Sequence, residues 1–259
     1  VNDYPAVRRI REFFADRPGL KIVSGVNAYY DYRPGEPRRR ATRERQMRDG
    51  RTQLFETYNA AVQLTIGEEE VPVYKKSKLV PGPEIFPYPG FFFFAKPLVD
   101  KLEGTVAGVA TQPERSVFTS EDGRVAPVIC YESVFGEYHA GYIRKGAEAA
   151  FIMTNDGWWD QTAGHRQHLR FASLRAIETR RAIARAANTG ISAFLNQRGD
   201  IRQATPYGEP AAIRDEIRFN DDITLYVRYG DLIARIAVFG AVILLLNTLA
   251  RGLMAGRGK

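Results

Sequence analysis

A single apolar run that ends in the only cysteine of the chain constrains this sequence more than any other feature. The run and the polar pair that follows it read Val125-Ala-Pro-Val-Ile-Cys-Tyr-Glu132, and Cys130 is the one cysteine among 259 residues. A β-branched run before a polar pair is typical of a buried strand that ends in a turn, from which a nucleophile projects. One cysteine forms neither an internal disulfide nor a multi-cysteine metal site, which leaves a reactive thiol as its main chemical role. The alternative is that Cys130 is a small buried hydrophobic residue.

A thiol attacks efficiently only as a thiolate, so Cys130 needs a base or a positive charge nearby. The three histidines, His139, His165 and His168, allow a pair of the cysteine-protease type. The segment Tyr74-Lys-Lys-Ser-Lys-Leu-Val-Pro-Gly-Pro-Glu84 offers lysines between an apolar strand and a proline- and glycine-rich loop. A lysine in such a position can hold an oxyanion and favour a thiolate. The alternative for this segment is an ordinary solvated basic loop.

Three blocks of sequence, in this order, resemble the carbon–nitrogen hydrolase (nitrilase) superfamily and, within it, the C-terminal catalytic domain of the apolipoprotein N-acyltransferases. The first block is the lysine segment 74–84, the second is Ile129-Cys-Tyr-Glu132, and the third is Thr154-Asn-Asp-Gly-Trp-Trp159 with the residues that follow it. The resemblance extends from about Lys21 to the C-terminus. It implies an α/β fold, the nitrilase-like α-β-β-α sandwich, followed by a C-terminal transmembrane helix.

The resemblance also implies roles for individual residues. The family uses a Glu-Lys-Cys triad, in which Cys130 corresponds to the nucleophile and Lys76 to the lysine. Lys75 and Lys78 are the competitors for the place of that lysine, and a misplacement by one residue stays open. Glu84 corresponds to an auxiliary glutamate of the catalytic site.

Further residues of the site are implied around the second and third blocks. Tyr131 and Glu132 follow the nucleophile as auxiliary or substrate-binding residues, and Trp158 is expected to contact the acyl chain. The resemblance implies no cofactor and no metal ion. His165 and His168 are three residues apart on a predicted helix, but no carboxylate or cysteine completes a recognisable set of metal ligands.

The general-base glutamate of the family is the member of the triad that has no counterpart here. It is expected upstream of Lys21, in a Pro-Glu segment after a strand, whereas residues 4–16 predict a helix. Glu12 is the only glutamate among residues 1–20, and it lies on an arginine-rich helical surface that does not suit a base. Because the chain opens with Val1 rather than methionine, we expect a fragment that begins just after the base and is inactive alone. A non-catalytic relative is the alternative.

The C-terminal part of the chain predicts a membrane helix. The apolar stretch over residues 232–250 approaches the roughly 20 residues that a helix needs to span a bilayer. A buried core helix or an interfacial anchor is the alternative. Arg251, Arg257 and Lys259 follow the stretch, and by the positive-inside tendency they predict a cytoplasmic tail. We therefore expect a bacterial inner-membrane protein whose preceding domain is periplasmic.

The positive charge of the chain bears on its partners. The formal net charge is +7, but no zinc-finger, RRM or helix-turn-helix signature accompanies it, so we expect no nucleic acid. Anionic phospholipid head groups attract the same charge, while most of the arginines are expected on a solvated surface. The partners implied by the resemblance are a membrane phospholipid as acyl donor and a diacylglyceryl apolipoprotein as acceptor.

Strand and helix patterns alternate along the chain, which indicates an α/β layer architecture. The predicted strands cover residues 20–29, 57–65, 71–76, 116–118, 125–129, 149–154, 191–196 and 201–204. The predicted helices cover residues 4–16, 134–145 and 164–187. The remaining stretches include a charged loop at 31–51, a proline loop at 81–90, and Phe91-Phe-Phe-Phe94, an apolar cluster for the core or a membrane-dipping lid. We divide the chain into a catalytic domain, residues 1–228, and a transmembrane helix with its basic tail, residues 229–259.

Taken further, the resemblance implies an N-acyltransferase. It would transfer a fatty acyl chain from a membrane phospholipid to the N-terminal diacylglyceryl-cysteine amine of apolipoproteins, through a thioester on Cys130. Lys76 and a backbone N–H near Tyr131 would stabilise the tetrahedral oxyanion. A soluble amidase or nitrilase is the first alternative, since it would share Lys76 and Cys130 without needing the apolar C-terminus. A non-catalytic, membrane-anchored relative is the second.

Overall fold

Two β-sheets and the helices around them form the fold. The structure, a computed structural model, describes residues 4–81, 84–85, 108–160 and 162–257. The strands, in chain order, are β1 Lys21–Asp31, β2 Arg43–Gln46, β3 Thr52–Thr65, β4 Val73–Lys75, β5 Phe118–Ser120, β6 Gly123–Ile129, β7 Ala149–Thr154, β8 Ile183–Ala187, β9 Ala193–Leu195 and β10 Ile201–Arg202. The helices are α1 Pro5–Phe13, α2 Gly136–Arg144, α3 Gly164–Thr179, α4 Leu225–Tyr229 and α5 Leu232–Arg257.

The first sheet is antiparallel and is organised around β3. This long strand pairs with β1 from Lys21↔Thr65 to Asp31↔Phe55, and with β2 and β4. The second sheet has the order β10-β9-β8-β7-β6-β5. Its inner strands β6, β7 and β8 run parallel, whereas β5, β9 and β10 pair antiparallel with their neighbours. The carboxyl ends of the parallel strands therefore meet at one edge, where loops can assemble a site.

The two sheets pack face to face and share one hydrophobic core. Ala61 and Tyr74 from the first sheet belong to the same buried cluster as Val128 and Ile152 from the second. Helices α2 and α3 add buried residues to this cluster and contact the strands of the second sheet. The layered α/β sandwich expected from the sequence is confirmed.

The predicted helix over residues 164–187 is wrong in its last part. Helix α3 ends at Thr179, because Arg180 has a left-handed backbone (φ 52°) that cannot continue it. Residues Ile183–Ala187 form β8, which lies between β7 and β9. Alanine-rich sequence has a high helix propensity, but pairing with two neighbouring strands outweighs that preference here. The charged loop predicted at 31–51 is also partly wrong, since it contains β2.

The C-terminal helix α5 differs from the rest of the chain in its exposure. Its segment Leu232–Gly252 has a mean hydropathy of 2.2. The most apolar part of this segment is not buried against any of the described residues. This excludes the alternative of a core helix within the described residues. By length and composition, α5 is able to cross a membrane. The cluster Phe91-Phe-Phe-Phe94 and most of the predicted loop at 81–90 lie outside the described residues.

Candidate active site

The predicted nucleophile lies in a strained turn at the end of β6. Strand β6 ends at Ile129, and a short 3-10 turn, Cys130–Val134, follows directly. The φ angle of Cys130 is +49°, a left-handed conformation that costs a residue other than glycine roughly 1–2 kcal/mol. The side chain of Cys130 is partly exposed. The predicted turn after a buried strand is confirmed, and it places Cys130 at the border of the core, where the side chain keeps part of its surface accessible.

The sequence of β6 explains why the strand stops there. Strand β5 pairs with β6 only as far as Val125, so one side of β6 has no strand partner beyond that residue. Pro127, which has no N–H to donate, is tolerated in this position. The N–H of Ile129 donates at 2.9 Å to the carboxylate of Glu132 instead of to a strand. The turn is therefore closed by a side chain from its own sequence.

The predicted lysine and the predicted auxiliary glutamate form a buried ion pair. Lys76 follows β4 and is 1% exposed, and its Nζ lies 2.7 and 2.8 Å from the two carboxylate oxygens of Glu84. The same carboxylate accepts hydrogen bonds from the Asn59 side chain at 2.5 Å and from the Val80 N–H at 2.7 Å. These contacts hold the ammonium group of Lys76 in one orientation.

The two neighbouring lysines have different surroundings. Lys75 Nζ lies 4.0 Å from the centroid of the Tyr58 ring, and burial lowers the pKa of Lys75. Lys78 Nζ lies 5.6 Å from the centroid of the Tyr138 ring. Of the three, Lys76 has the carboxylate partner and the deep burial that favour it as the lysine of the site.

Glu132 connects the lysine segment to the nucleophile turn. Its carboxylate is fully buried and accepts from the Tyr74 hydroxyl at 2.6 Å and from the Ser77 N–H at 2.7 Å. Further donors are the Tyr142 hydroxyl at 3.2 Å, the Lys78 N–H at 3.3 Å and the Tyr138 hydroxyl at 3.3 Å. Burial raises the pKa of Glu132, although these hydrogen bonds oppose the shift. This carboxylate holds the lysine segment and the nucleophile turn together, and its auxiliary role at the site stays a prediction.

Tyr131 and Trp158 differ in how far they are available to a ligand. The Tyr131 ring packs edge-on against Phe135, with centroids 5.1 Å apart. Trp158 lies in the short turn Gly157–Trp159 that follows β7, the strand paired with β6, and it is 77% exposed. An exposed tryptophan at this edge can contact an acyl chain, so that role remains a prediction.

A buried charged cluster behind Cys130 was not predicted from the sequence. Asp156 Oδ1 lies 2.8 Å from His168 Nδ1, and Asp156 Oδ2 lies 2.5 Å from Arg185 Nη2. Burial alone would raise the pKa of Asp156, but the hydrogen bond to His168 and the charge of Arg185 together lower it. The sequence feature that could have indicated this cluster is Arg185, a charged residue in an otherwise apolar stretch for which the sequence predicts a helix.

His168 contacts the backbone carbonyl of Cys130 rather than its thiol, and the other two histidines make no hydrogen bond to Cys130 among the described residues. His139 is fully buried, and burial lowers the pKa of its ring to about 3. His165 packs against the Tyr207 ring, with centroids 4.2 Å apart. Among the described residues, no group of three or more histidine, cysteine or acidic side chains is arranged to hold a metal ion.

Comparison with known proteins gives a consistent picture. The carbon–nitrogen hydrolase family model matches residues 41–219. The chain is 34% identical over 205 residues to the apolipoprotein N-acyltransferase of Chlorobaculum tepidum, covering 76% of this chain and 38% of that protein. It is 35% identical over 186 residues to that of Thermotoga maritima, covering 70% and 35%. The chain thus spans well under half the length of these curated relatives.

Solved structures show a similar fold at low sequence identity. An amidase from Nesterenkonia sp. superposes with a TM-score of 0.50 and 18% identity, covering 80% of this chain and 64% of the amidase. A glutamine-dependent NAD+ synthetase from Acinetobacter baumannii has a TM-score of 0.50 and 13% identity, covering 81% and 34%. At these identities the likeness concerns the fold alone.

Proposed function

The chain belongs to the carbon–nitrogen hydrolase family, and on that premise we propose that it is the catalytic part of a membrane-bound N-acyltransferase. Its reaction moves a fatty acyl chain from a membrane phospholipid to the N-terminal diacylglyceryl-cysteine amine of an apolipoprotein. One combination of features carries the proposal. The left-handed turn at Cys130 is connected through Glu132 to the Lys76 segment, and the same chain has the exposed apolar helix α5. The similarity to N-acyltransferases over 76% of the chain supports it.

The first half-reaction forms a thioester. The thiol of Cys130 gives its proton to a general base, a role that the family assigns to a glutamate, and the sulfur attacks the ester carbonyl of the phospholipid. The Lys76 ammonium and a backbone N–H near Tyr131 stabilise the negative charge on the tetrahedral oxygen. The ester C–O bond then breaks, the base returns the proton to the leaving oxygen, and the lysophospholipid departs.

The second half-reaction transfers the acyl chain. The amine of the acceptor attacks the thioester carbonyl, the C–S bond breaks, and the amine proton passes through the base to the thiolate of Cys130. Glu84 keeps the Lys76 ammonium oriented through both steps by its two contacts of 2.7 and 2.8 Å. Exposed Trp158 offers an apolar surface for the acyl chain.

A membrane location gives the enzyme access to both lipid substrates. In this proposal, residues 229–259 contain the membrane helix and basic tail, and residues 1–228 form the catalytic domain on the periplasmic side of the inner membrane. Arg235 at the start of α5 lies 2.6 Å from Glu137 of α2. This ion pair links the membrane helix to the domain that carries Cys130.

The test is a search for the acyl-enzyme. The native membrane protein is incubated in vesicles of phosphatidylethanolamine with a labelled acyl chain, and Cys130 is examined by mass spectrometry. We expect a hydroxylamine-labile label on Cys130 that a diacylglyceryl lipopeptide removes and carries on its own amine. Cys130→Ala is the matched control, and a label retained in that variant would refute the assignment. Release of ammonia from small amides without acyl transfer would indicate an amidase.

A further inference from the structure

Three buried charged side chains lie directly behind the nucleophile turn. They are Asp156 from the loop after β7, His168 from α3 and Arg185 from β8, with exposures of 0%, 5% and 3%. Asp156 joins the other two, since one carboxylate oxygen contacts His168 and the other contacts Arg185. His168 Nε2 lies 3.1 Å from the carbonyl oxygen of Cys130. The cluster therefore ends on the backbone of the nucleophile itself.

The ring of His168 has polar partners at both of its nitrogens. Its Nδ1 lies 2.8 Å from Asp156 Oδ1 and 3.4 Å from Arg185 Nη2. Its Nε2 lies 3.1 Å from the Cys130 carbonyl oxygen and 3.0 Å from Ser133 Oγ, which itself lies 2.8 Å from that carbonyl. The imidazole is therefore held by Asp156 on one side and contacts the nucleophile turn on the other.

Arg185 fixes the carboxylate of Asp156. Its Nη2 lies 2.5 Å from Asp156 Oδ2, and its Nε donates to the Ile191 carbonyl at 3.2 Å. Burial lowers the pKa of Arg185, whereas the charge of Asp156 raises it. Arg185 Nη1 is buried without a hydrogen-bond partner among the described residues. The guanidinium group therefore holds the Asp156 carboxylate in the position from which it orients His168.

The same contacts stabilise the backbone of the turn. Cys130 has a positive φ of 49°, and its carbonyl oxygen lies 2.8 Å from Ser133 Oγ and 3.1 Å from His168 Nε2. A strained conformation persists only where surrounding contacts hold it in place. Ser133 belongs to the same turn, so of these two contacts the one with His168 connects the Cys130 carbonyl to another element of the fold.

We propose that Asp156, His168 and Arg185 act together as positioning residues for Cys130. His168 contacts the carbonyl of the nucleophile and holds it in its left-handed turn. Asp156 orients the His168 ring, and Arg185 fixes the Asp156 carboxylate. The proposal rests on the proposed role of Cys130 as nucleophile, but it does not depend on which acyl donor the protein uses.

The test measures how fast Cys130 reacts with iodoacetamide at pH 7. Cys130 is the only cysteine of the chain, so the alkylated mass reports this thiol alone in the full chain in detergent micelles. In His168→Gln we expect alkylation to slow about tenfold, because the turn no longer holds the thiol in one position. The Lys76–Glu84 pair and Glu132 are unchanged in this variant.

A matched control separates positioning from general stability. Arg181 is also a buried arginine, but it donates to the carbonyls of Ala147, Thr179 and Asp222, away from Cys130. We expect Arg181→Lys to lower the thermal stability without changing the rate of alkylation. A cooperatively folded His168→Gln variant that is alkylated at the wild-type rate would overturn the proposal.

A second measurement needs no variant that could fail to fold. Two-bond ¹H–¹⁵N spectra of the wild-type chain with ¹⁵N-labelled histidine show which ring nitrogen carries a proton, and His139→Leu and His165→Gln assign the signals by elimination. We expect Nδ1 of His168 to carry a proton, since it faces the Asp156 carboxylate at 2.8 Å. An unprotonated Nδ1 would contradict the proposal. Neither readout needs an acyl donor, so a failure of acyl transfer would refute the proposed function and leave this inference standing.

Discussion

The carboxylate of Glu132 accepts a hydrogen bond at 2.7 Å from the backbone N–H of Ser77, 55 residues away in the chain. Ser77 directly follows Lys76, and Glu132 lies in the turn that begins with Cys130. The other oxygen of the carboxylate accepts from Ile129, the residue before the nucleophile. One buried side chain therefore sets the position of the lysine segment relative to the cysteine.

Replacing Glu132 by glutamine should disrupt this connection. The amide nitrogen must face either the Ser77 N–H or the Ile129 N–H, so one backbone donor loses its acceptor. We expect a loss of about 2 kcal/mol in the free energy of unfolding, measured by urea denaturation, and slower alkylation of Cys130. Glu114→Gln, an exposed glutamate paired with Lys145, is the control and should behave as wild type. Wild-type stability of Glu132→Gln would show that the contact is dispensable.

Lysine substitutions should identify the catalytic lysine. Methionine keeps most of the length of lysine but removes its charge, so Lys76→Met leaves the oxyanion without its ammonium donor. We expect the rate of acyl-enzyme formation in the native membrane protein to fall by about 10²–10³-fold, measured by the labelled phospholipid assay. Lys75→Met, whose ammonium lies over the Tyr58 ring, should change the rate by only a few-fold. The reverse order of effects would assign the role to Lys75.

Replacing Cys130 by glycine should abolish the reaction but leave a more stable fold than replacing it by alanine. At φ +49° a glycine avoids the cost that a side chain brings. We expect Cys130→Gly to raise the free energy of unfolding by about 1 kcal/mol relative to Cys130→Ala, which keeps a Cβ. Denaturant unfolding of the two variants gives the comparison. Equal stabilities would mean that the turn holds no strain at this residue.

His139 should make the stability of the protein depend on pH. Burial lowers the pKa of the folded ring to about 3, whereas an unfolded histidine takes up a proton below about pH 6.5. Protonation therefore favours the unfolded chain, and stability falls as the pH decreases from about 6.5 towards 3. Between pH 7 and pH 5 we expect His139 to contribute a loss of roughly 2 kcal/mol.

The variant His139→Leu should remove this part of the pH dependence, as measured by urea unfolding at pH 5 and pH 7. Ser173→Ala, which alters another buried polar side chain that does not ionise, is the control and should keep the wild-type difference. If His139→Leu shows the wild-type difference between pH 5 and pH 7, the dependence originates elsewhere.

The sequence predicts local structure correctly where a single hydrophobic pattern dominates a segment. The apolar run before Cys130 predicted a strand and a turn, and both are present. The long apolar C-terminal segment predicted a helix, and α5 covers it. The helix predicted over residues 183–187 is wrong, because these residues have a high helix propensity but pair as β8 with the neighbouring strands. A preference of a few tenths of a kcal/mol per residue cannot compete with a place in the middle of a sheet.

By itself, the sequence determined the family, which the carbon–nitrogen hydrolase match confirms, and the residue types of the site in their order along the chain. Those properties are local, because a motif is defined by neighbouring residues. Only the tertiary structure decided that Lys76 pairs with Glu84, that Glu132 is a buried link, and that His168 contacts the Cys130 carbonyl. These contacts join residues from different strands and helices. They follow from how two sheets pack, and no local propensity encodes that geometry.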